Sequence, residues 1–249
     1  VRDSRTRATL KIQDGCVNFC SYCIIPFARG PLRSRPLDEL SAEVAMLANE
    51  GYREIVLTGI HLASYGRDFA QSGITLLDAI ARASEPEGIR RIRLGSLEPL
   101  FVNETVAKAL ADNPKICRQF HLSLQSGSNT VLARMNRKYT AEEYLAALAL
   151  LRKYMPDCAI TTDVIAGFAG ETETERAETL AFCQAAKFAR MHVFPFSLRK
   201  GTKAENLPNH LPKAIKDSRA KELIALGKSL TQSYLRQQIG SVVEVLAES

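Results

Sequence analysis

The sequence predicts an α/β protein that forms an open, partial (β/α)6 barrel. Short apolar segments alternate with amphipathic helical segments along the chain, which is typical of a parallel sheet covered by helices. The units repeat at roughly 30 to 40 residues, the scale of a strand with its crossover helix. Because eight such units close a full barrel, six leave it open. A doubly wound open sheet is the architectural alternative.

The predicted elements follow in order along the chain. Apolar, β-branched runs predict strands at 8–12, 53–58, 91–94, 120–124, 160–165 and 191–196. Helical periodicity predicts helices at 38–49, 76–83, 103–111, 140–154, 172–186 and 212–238. Asp38 is the expected cap of the first helix, and Thr140 and Thr172 each precede a glutamate by three residues, as in a capping box.

Composition indicates an ordinary soluble protein. The 249 residues are 46% hydrophobic and 24% charged. No apolar stretch has the length of a membrane span and no targeting segment is visible, so we expect a cytoplasmic protein without a membrane partner. The net charge of +6, from 33 basic and 27 acidic residues, is modest and compatible with an RNA partner.

Three cysteines follow the first predicted strand. Cys16, Cys20 and Cys23 form a C-x3-C-x2-C run, which can hold three irons of a 4Fe–4S cluster and leave the fourth iron without a protein ligand. A zinc site would need a fourth ligand, and no histidine lies in this loop. Disulfides are disfavoured by the odd number and by the absence of a secretory signal. The other three cysteines are dispersed and are expected to be buried and unreactive: Cys117, Cys158 and Cys183.

Glycines and polar residues recur after the second to fifth strands, where an α/β barrel gathers its binding loops. We expect them to form a pocket for a nucleotide-like ligand. Glu98 offers a carboxylate to an ammonium group, and two glycines at a helix start, including Gly167, can cradle an adenine edge or a charged group. The other candidates at these strand ends are Gly59, Ser123, Gln125 and Asp163. The pattern assigns no catalytic residue.

Several segments together resemble the radical S-adenosylmethionine (SAM) core of the methylthiotransferase family. They are 10–36 with the three cysteines, L-T-G-I-H-L-A-S-Y-G at 57–66, R-L-G-S-L-E-P at 93–99, H-L-S-L-Q-S-G-S at 121–128, R-M-N-R-K-Y at 134–139 and T-T-D-V-I-A-G-F-A-G-E-T at 161–172. The resemblance implies that the cysteines bind a SAM-cleaving cluster. It also implies that the strand-end residues, with Arg137, line the SAM pocket.

The same resemblance implies a domain plan. We expect residues 1–238 to be the radical SAM domain and 239–249 to begin a truncated β-barrel RNA-binding domain, since 241–246 alternates like a strand. The N-terminal domain of family members, which carries a second 4Fe–4S cluster for sulfur delivery, is expected to be absent. An electron donor such as flavodoxin or ferredoxin is implied as a partner.

Within the family, the motifs at 59–66 and 96–99 look most like the branch that methylthiolates threonylcarbamoyladenosine in tRNA, next to the anticodon. The isopentenyladenosine branch usually has His in place of Glu98, and the branch acting on a ribosomal-protein aspartate differs more. Both remain alternatives. The alternative of another class is a non-catalytic RNA-binding module stabilised by zinc.

Overall fold

The computed structural model describes residues 7–70 and 73–247. Seven strands are present: β1 (Ala8–Asp14), β2 (Arg33–Ser34), β3 (Glu54–Gly59), β4 (Arg91–Leu94), β5 (Gln119–His121), β6 (Ala159–Ala166) and β7 (Arg190–Pro195). Eight α-helices accompany them: α1 (Ile25–Arg29), α2 (Leu37–Asn49), α3 (Leu76–Ser84), α4 (Glu104–Asp112), α5 (Asn129–Arg134), α6 (Ala141–Tyr154), α7 (Glu173–Ala186) and α8 (Lys213–Gln237). Both counts refer to the described ranges.

Six strands run parallel in chain order around a curved sheet. β1, β3 and β4 pair in parallel, as do β5, β6 and β7, and the short β2 lies antiparallel on β1. Isolated parallel bridges, Ile92 with Ile116 and Leu97 with Leu122, join the two halves. No pairing joins β1 to β7 within the described chain, so the sheet is open. The open partial barrel is confirmed, because the strand order never reverses as it does in a doubly wound sheet.

The two faces of the sheet differ in character. Apolar side chains such as Leu10, Leu57 and Val164 are buried on the face that packs against the helices. The alternate positions carry polar side chains on the other, concave face, among them Arg93 and His121. Successive side chains of a strand point to opposite faces, so one set of strands supplies both the core and a polar interior.

The fourth predicted strand is shorter than the sequence pattern indicates. The pattern predicts 120–124, whereas β5 spans Gln119–His121. Gln125 adopts a left-handed conformation (φ 68°), and the Tyr139 hydroxyl lies within hydrogen-bond distance of the Ser123 and Leu124 carbonyls. The Leu122 carbonyl, which would continue the ladder, accepts instead from the hydroxyls of Tyr144 and Thr162.

The helix starts confirm two of the three predicted caps. Capping boxes are present at Thr140 and Thr172. The prediction for Asp38 is wrong: α2 begins at Leu37 after Pro36, and Asp38 lies in its first turn. A proline there pre-sets the backbone angle of a helix entry.

The predicted strand at 241–246 is also not observed. Residues 241–247 form neither strand nor helix. The Glu244 carbonyl accepts a 3.4 Å bond from Arg91, yet no strand in the described ranges pairs with the segment. A β-strand needs a paired neighbour to satisfy its backbone, so alternation alone does not produce one.

Candidate active site

The parallel strands place their C-terminal ends at one edge, and the cysteine loop lies there between β1 and α1. Gly15 has φ +74°, and a Cβ at this position would lie 1.8 Å from the Pro31 carbonyl oxygen, so glycine permits the close approach. The Cys16 amide donates to the Gly30 carbonyl at 3.1 Å. Gly30 and Pro31, at the far end of the loop, therefore pack against Gly15 and Cys16 at its start.

The segment after α5 holds the middle of the same loop. The Ser21 amide donates to the Met135 carbonyl at 2.9 Å, and its hydroxyl donates to the Arg134 carbonyl at 2.8 Å. The side-chain amide of Asn136 donates to the Phe19 carbonyl at 2.8 Å. Phe19 itself has a left-handed backbone (φ 48°). The fold thus fixes a strained loop from two sides, which presents its thiols in a defined arrangement.

The three thiols fit an iron–sulfur cluster by their chemistry. Cys16, Cys20 and Cys23 form no disulfide and are partly exposed. Burial raises the pKa of the Cys16 and Cys23 thiols, so bound iron would have to stabilise their thiolates. No three His, Cys, Asp or Glu side chains of residues 7–70 and 73–247 gather around a single ion position. A four-iron cluster accepts each ligand at a different corner, so such convergence is not required.

The remaining cysteines are buried elsewhere, as predicted. Cys117, Cys158 and Cys183 lie in the core, with at most 6% of their surface exposed. Burial raises the pKa of Cys158 to about 11 and of Cys183 to about 12. Thiols of this kind are protonated at neutral pH and poor ligands or nucleophiles.

Glu98 is the centre of a polar network beside the cysteine loop. Its Oε2 lies 2.8 Å from His61 Nε2, and its Oε1 accepts a 2.9 Å bond from Asn18 and lies 3.0 Å from Arg137 Nη2. Burial alone raises the pKa of Glu98, but the His61 bond, the Arg137 charge and the Asn18 bond together bring it below the ordinary value. Glu98 is therefore an ionised, fully engaged carboxylate.

Arg137 connects that network to a cysteine. Its Nη1 donates to Cys20 Sγ at 3.3 Å, and its Nε donates to the Tyr139 hydroxyl at 3.0 Å. The side chain is only 7% exposed. Arg137 comes near the cysteines only through the tertiary fold. The sequence pattern of residues 134–139 therefore did not indicate this contact.

Gly59 permits a close approach between the end of β3 and β1. A Cβ there would lie 2.9 Å from the Cβ and Oε1 atoms of Gln13. Gln13 Oε1 accepts the His61 amide at 2.7 Å, so the absence of a side chain at Gly59 lets β1 position the turn after β3. Sequence reasoning did not select Gln13, His61 or Asn18. Their polar character and their position next to the cysteines and strand ends could have identified them.

A second part of the site lies between β5, β6 and β7. A cleft of about 320 Å³ is lined by Gln125 and Asp163 with Tyr22, Phe194, Phe196 and Arg199. The Gln125 amide donates to the Asp163 carbonyl at 2.8 Å, and Ser123 lies on the same strand end. Asp163 also faces His121, with 3.2 Å between Oδ2 and Nε2. The structure brings these polar groups to an open cleft beside Tyr22 of the cysteine loop.

Gly167 lies at the outer side of this region. Its amide donates to Glu171 Oε1 at 3.1 Å, and its left-handed backbone (φ +71°) passes close to Lys216 of α8. Arg219 holds the same Glu171 oxygen at 2.7 Å. The Gly167 amide is thus engaged within the protein.

Comparison with known proteins places this arrangement in a family. Residues 10–183 match the sequence profile of the Radical SAM superfamily. The chain belongs to the radical SAM superfamily. Members of this superfamily use a 4Fe–4S cluster together with SAM, and the cysteine loop contains the three thiols such a cluster needs.

Full-length relatives of this radical SAM chain are longer. The threonylcarbamoyladenosine tRNA methylthiotransferase MtaB of Bacillus subtilis is 45% identical over 98% of this chain, which covers 54% of that protein. A tRNA-2-methylthio-N(6)-dimethylallyladenosine synthase of Thermoanaerobacter sp. is 41% identical over 99% of this chain and 52% of that protein. The chain therefore spans about half the length of these relatives.

Solved radical SAM structures share the fold at low identity. Coproporphyrinogen III oxidase (HemN) from Escherichia coli has a TM-score of 0.65 at 17% identity, over 90% of this chain and 52% of that one. The methyltransferase TsrM from Kitasatospora setae, with cobalamin and a [4Fe-4S] cluster bound, has a TM-score of 0.65 at 20% identity, over 79% of this chain and 38% of that one. These likenesses show the fold. No helix in the described ranges could span a membrane.

Proposed function

We propose that this chain is the radical SAM core of a methylthiotransferase that modifies threonylcarbamoyladenosine in tRNA. The observation that carries the proposal is the C-x3-C-x2-C loop, pinned at the open end of a partial barrel, in a chain 36–45% identical to tRNA methylthiotransferases. Because the chain covers about half of these relatives, the activity belongs to the whole protein.

Cys16, Cys20 and Cys23 would hold the cluster, and the residues that line the cleft beside the cysteine loop would bind SAM. When bound, the cluster and SAM supply an electron and a 5′-deoxyadenosyl radical that abstracts hydrogen from the substrate. The residues of the chain bind and orient. Gln125 and Asp163 line the cleft next to the cysteine loop and offer hydrogen-bonding groups to a nucleoside.

We propose that Glu98 supports this site without contacting the SAM ammonium group directly. Both of its oxygens are engaged by His61, Asn18 and Arg137. We assign it the role of holding the turn after β3, the cysteine loop and Arg137 in register. Three groups held by one mostly buried carboxylate give the preorganisation that a radical reaction in a defined geometry requires.

The substrate branch rests on the motifs at 59–66 and 96–99. In the structure Glu98, which the isopentenyladenosine branch usually replaces by His, lies 2.8 Å from His61 of the first motif. The similar relatives include both adenosine branches, with the B. subtilis threonylcarbamoyladenosine enzyme at 45% identity and a dimethylallyladenosine enzyme at 41%. The threonylcarbamoyladenosine branch is therefore the proposal, and dimethylallyladenosine is the second candidate.

Further parts of the proposal concern the whole protein. We propose a tRNA substrate, an electron donor such as flavodoxin or ferredoxin, and a cytoplasmic location. Sulfur would come from a second 4Fe–4S cluster in an N-terminal domain outside this chain, and a second SAM would supply the methyl group. A β-barrel RNA-binding domain would begin at 239–249. Basic residues after β7 support an anionic partner: Arg199, Lys200 and Lys203.

The test begins with the cluster. After anaerobic reconstitution, the 249-residue chain should bind about four irons and give a reduced-cluster electron paramagnetic resonance (EPR) signal that shifts on addition of SAM. A triple variant, Cys16→Ala with Cys20→Ala and Cys23→Ala, should bind none. A variant with Cys117→Ala, Cys158→Ala and Cys183→Ala serves as the control and should keep its iron. Stoichiometric zinc without iron loading would support the zinc-stabilised module instead.

A further inference from the structure

The contact between Arg137 and Cys20 points to a role beyond ligand binding. An N–H group of Arg137 lies 3.3 Å from Cys20 Sγ, within the range of a hydrogen bond to sulfur. Guanidinium groups stay protonated in proteins, so the contact brings a permanent positive charge to a cysteine of the proposed cluster.

The guanidinium is fixed in this position. Tyr139 is 3% exposed, accepts the Arg137 Nε–H at 3.0 Å, and contacts the Ser123 and Leu124 carbonyls through the same hydroxyl. On the other side, Glu98 Oε1 lies 3.0 Å from Nη2, without the alignment of a hydrogen bond. Because Tyr139, Glu98 and Cys20 all contact the guanidinium, it cannot move away from the sulfur without leaving buried charges unpaired.

Glu98 is itself tied to the cysteine loop. Asn18, which lies between Cys16 and Cys20, donates to Glu98 Oε1 at 2.9 Å. The negative charge of Glu98 opposes part of the Arg137 charge and orients the guanidinium so that Nη1, rather than Nη2, faces the sulfur. Arg137 and Glu98 therefore act on the cluster with opposite signs.

These charges have a defined effect on an iron–sulfur cluster. Reduction adds one negative charge, and a nearby cation or a hydrogen bond to a ligand sulfur favours the reduced form. We propose that Arg137 is a positioning residue that makes the cluster easier to reduce through its hydrogen bond to Cys20, with Glu98 as its counter-charge. The inference rests on the proposed function in one respect, that Cys20 binds the cluster.

The experiment is an EPR-monitored redox titration of the reconstituted 249-residue chain without SAM. At the wild-type midpoint, Arg137→Gln should lower the ratio of reduced to oxidised cluster about tenfold, which for one electron corresponds to a shift of 59 mV to more negative potential. Glu98→Gln should raise this ratio. Lys138→Gln, the same charge change one residue further on, should leave it within about twofold of wild type.

The outcomes separate the inference from the proposed function. A wild-type chain that takes up no iron would defeat the proposed function itself. A cluster-containing Arg137→Gln variant with the potential of Lys138→Gln would overturn the inference, even if its SAM affinity fell, since Arg137 would then be only a SAM anchor. If Arg137→Gln does not hold a cluster, Glu98→Gln decides: an unchanged potential there overturns the inference, and a more positive one supports it.

Discussion

Replacing Gly15 by alanine should detach the cysteine loop from the segment that supports it. The added Cβ would lie 1.8 Å from the Pro31 carbonyl oxygen, whereas ordinary contact begins at 3.4 Å, so the two segments must separate by about 1.6 Å. Such a movement breaks the 3.1 Å bond between the Cys16 amide and the Gly30 carbonyl. The Cys16 thiol would then move away from the thiols of Cys20 and Cys23.

The magnitude follows from three contributions. A left-handed backbone costs about 1 to 2 kcal/mol for a residue with a Cβ. Loss of the Cys16 hydrogen bond costs about 1 kcal/mol, and relief of the overlap costs about 1 kcal/mol more. The expected loss is therefore about 3 to 4 kcal/mol of the free energy of unfolding, or an equivalent local opening of the loop. Gly51→Ala is the matched control, because Gly51 has φ +95° and no atom within 4 Å of its ideal Cβ.

The assay combines urea unfolding with iron analysis after anaerobic reconstitution. Gly51→Ala should lose about 1 to 2 kcal/mol, the cost of its left-handed backbone alone, and keep the iron content of the wild type. Gly15→Ala should bind well under half of that iron. Equal stability and equal iron in the two variants would refute the argument that the approach of Gly15 to Pro31 holds the cysteine loop.

Three further predictions concern stability, SAM binding and activity. Arg134 holds Glu175 at 2.7 Å and lowers the pKa of that carboxyl to about 2. Glu175→Gln should therefore lose about 2 kcal/mol of the free energy of unfolding at neutral pH. Because the folded pKa lies below the ordinary value, this difference from wild type should shrink between pH 4.5 and 2 in acid-unfolding curves. Asp163→Ala should weaken SAM binding about tenfold in calorimetry, while the exposed Lys153→Ala should not; equal affinities would place SAM elsewhere. The 249-residue chain should cleave SAM slowly without methylthiolating tRNA, as judged by mass spectrometry of digested tRNA, and methylthio product from it alone would contradict the need for a second cluster.

Much of the architecture was predictable because it depends on local patterns. The alternation of strands and helices identified six parallel strands, and the Thr-x-x-Glu sequences at Thr140 and Thr172 identified two helix starts. Capping involves residues three positions apart, so the sequence contains the whole interaction. The short helices α1 and α5 were not predicted, since five or six residues give too little periodicity to recognise.

The two errors in the predicted strands share a cause. No strand of the described ranges pairs with 241–246, and β5 ends early because the hydroxyls of Tyr144 and Thr162 occupy the Leu122 carbonyl. In both cases the local pattern favoured a strand, but no neighbouring backbone completed the ladder at those residues. Strand formation depends on those partners more than on the residues of the strand itself.

The sequence by itself determined that this protein has a three-thiol loop at the end of the first strand of a parallel α/β barrel, because spacing and periodicity are local properties. Only the tertiary structure decided what surrounds those thiols. Asn18 meets Glu98 across 80 positions of sequence, and Arg137 meets Cys20 across 117. Parallel strands bring their C-terminal ends to one edge, and buried charges must find partners there, so the network that supports the cysteines forms only when the barrel does.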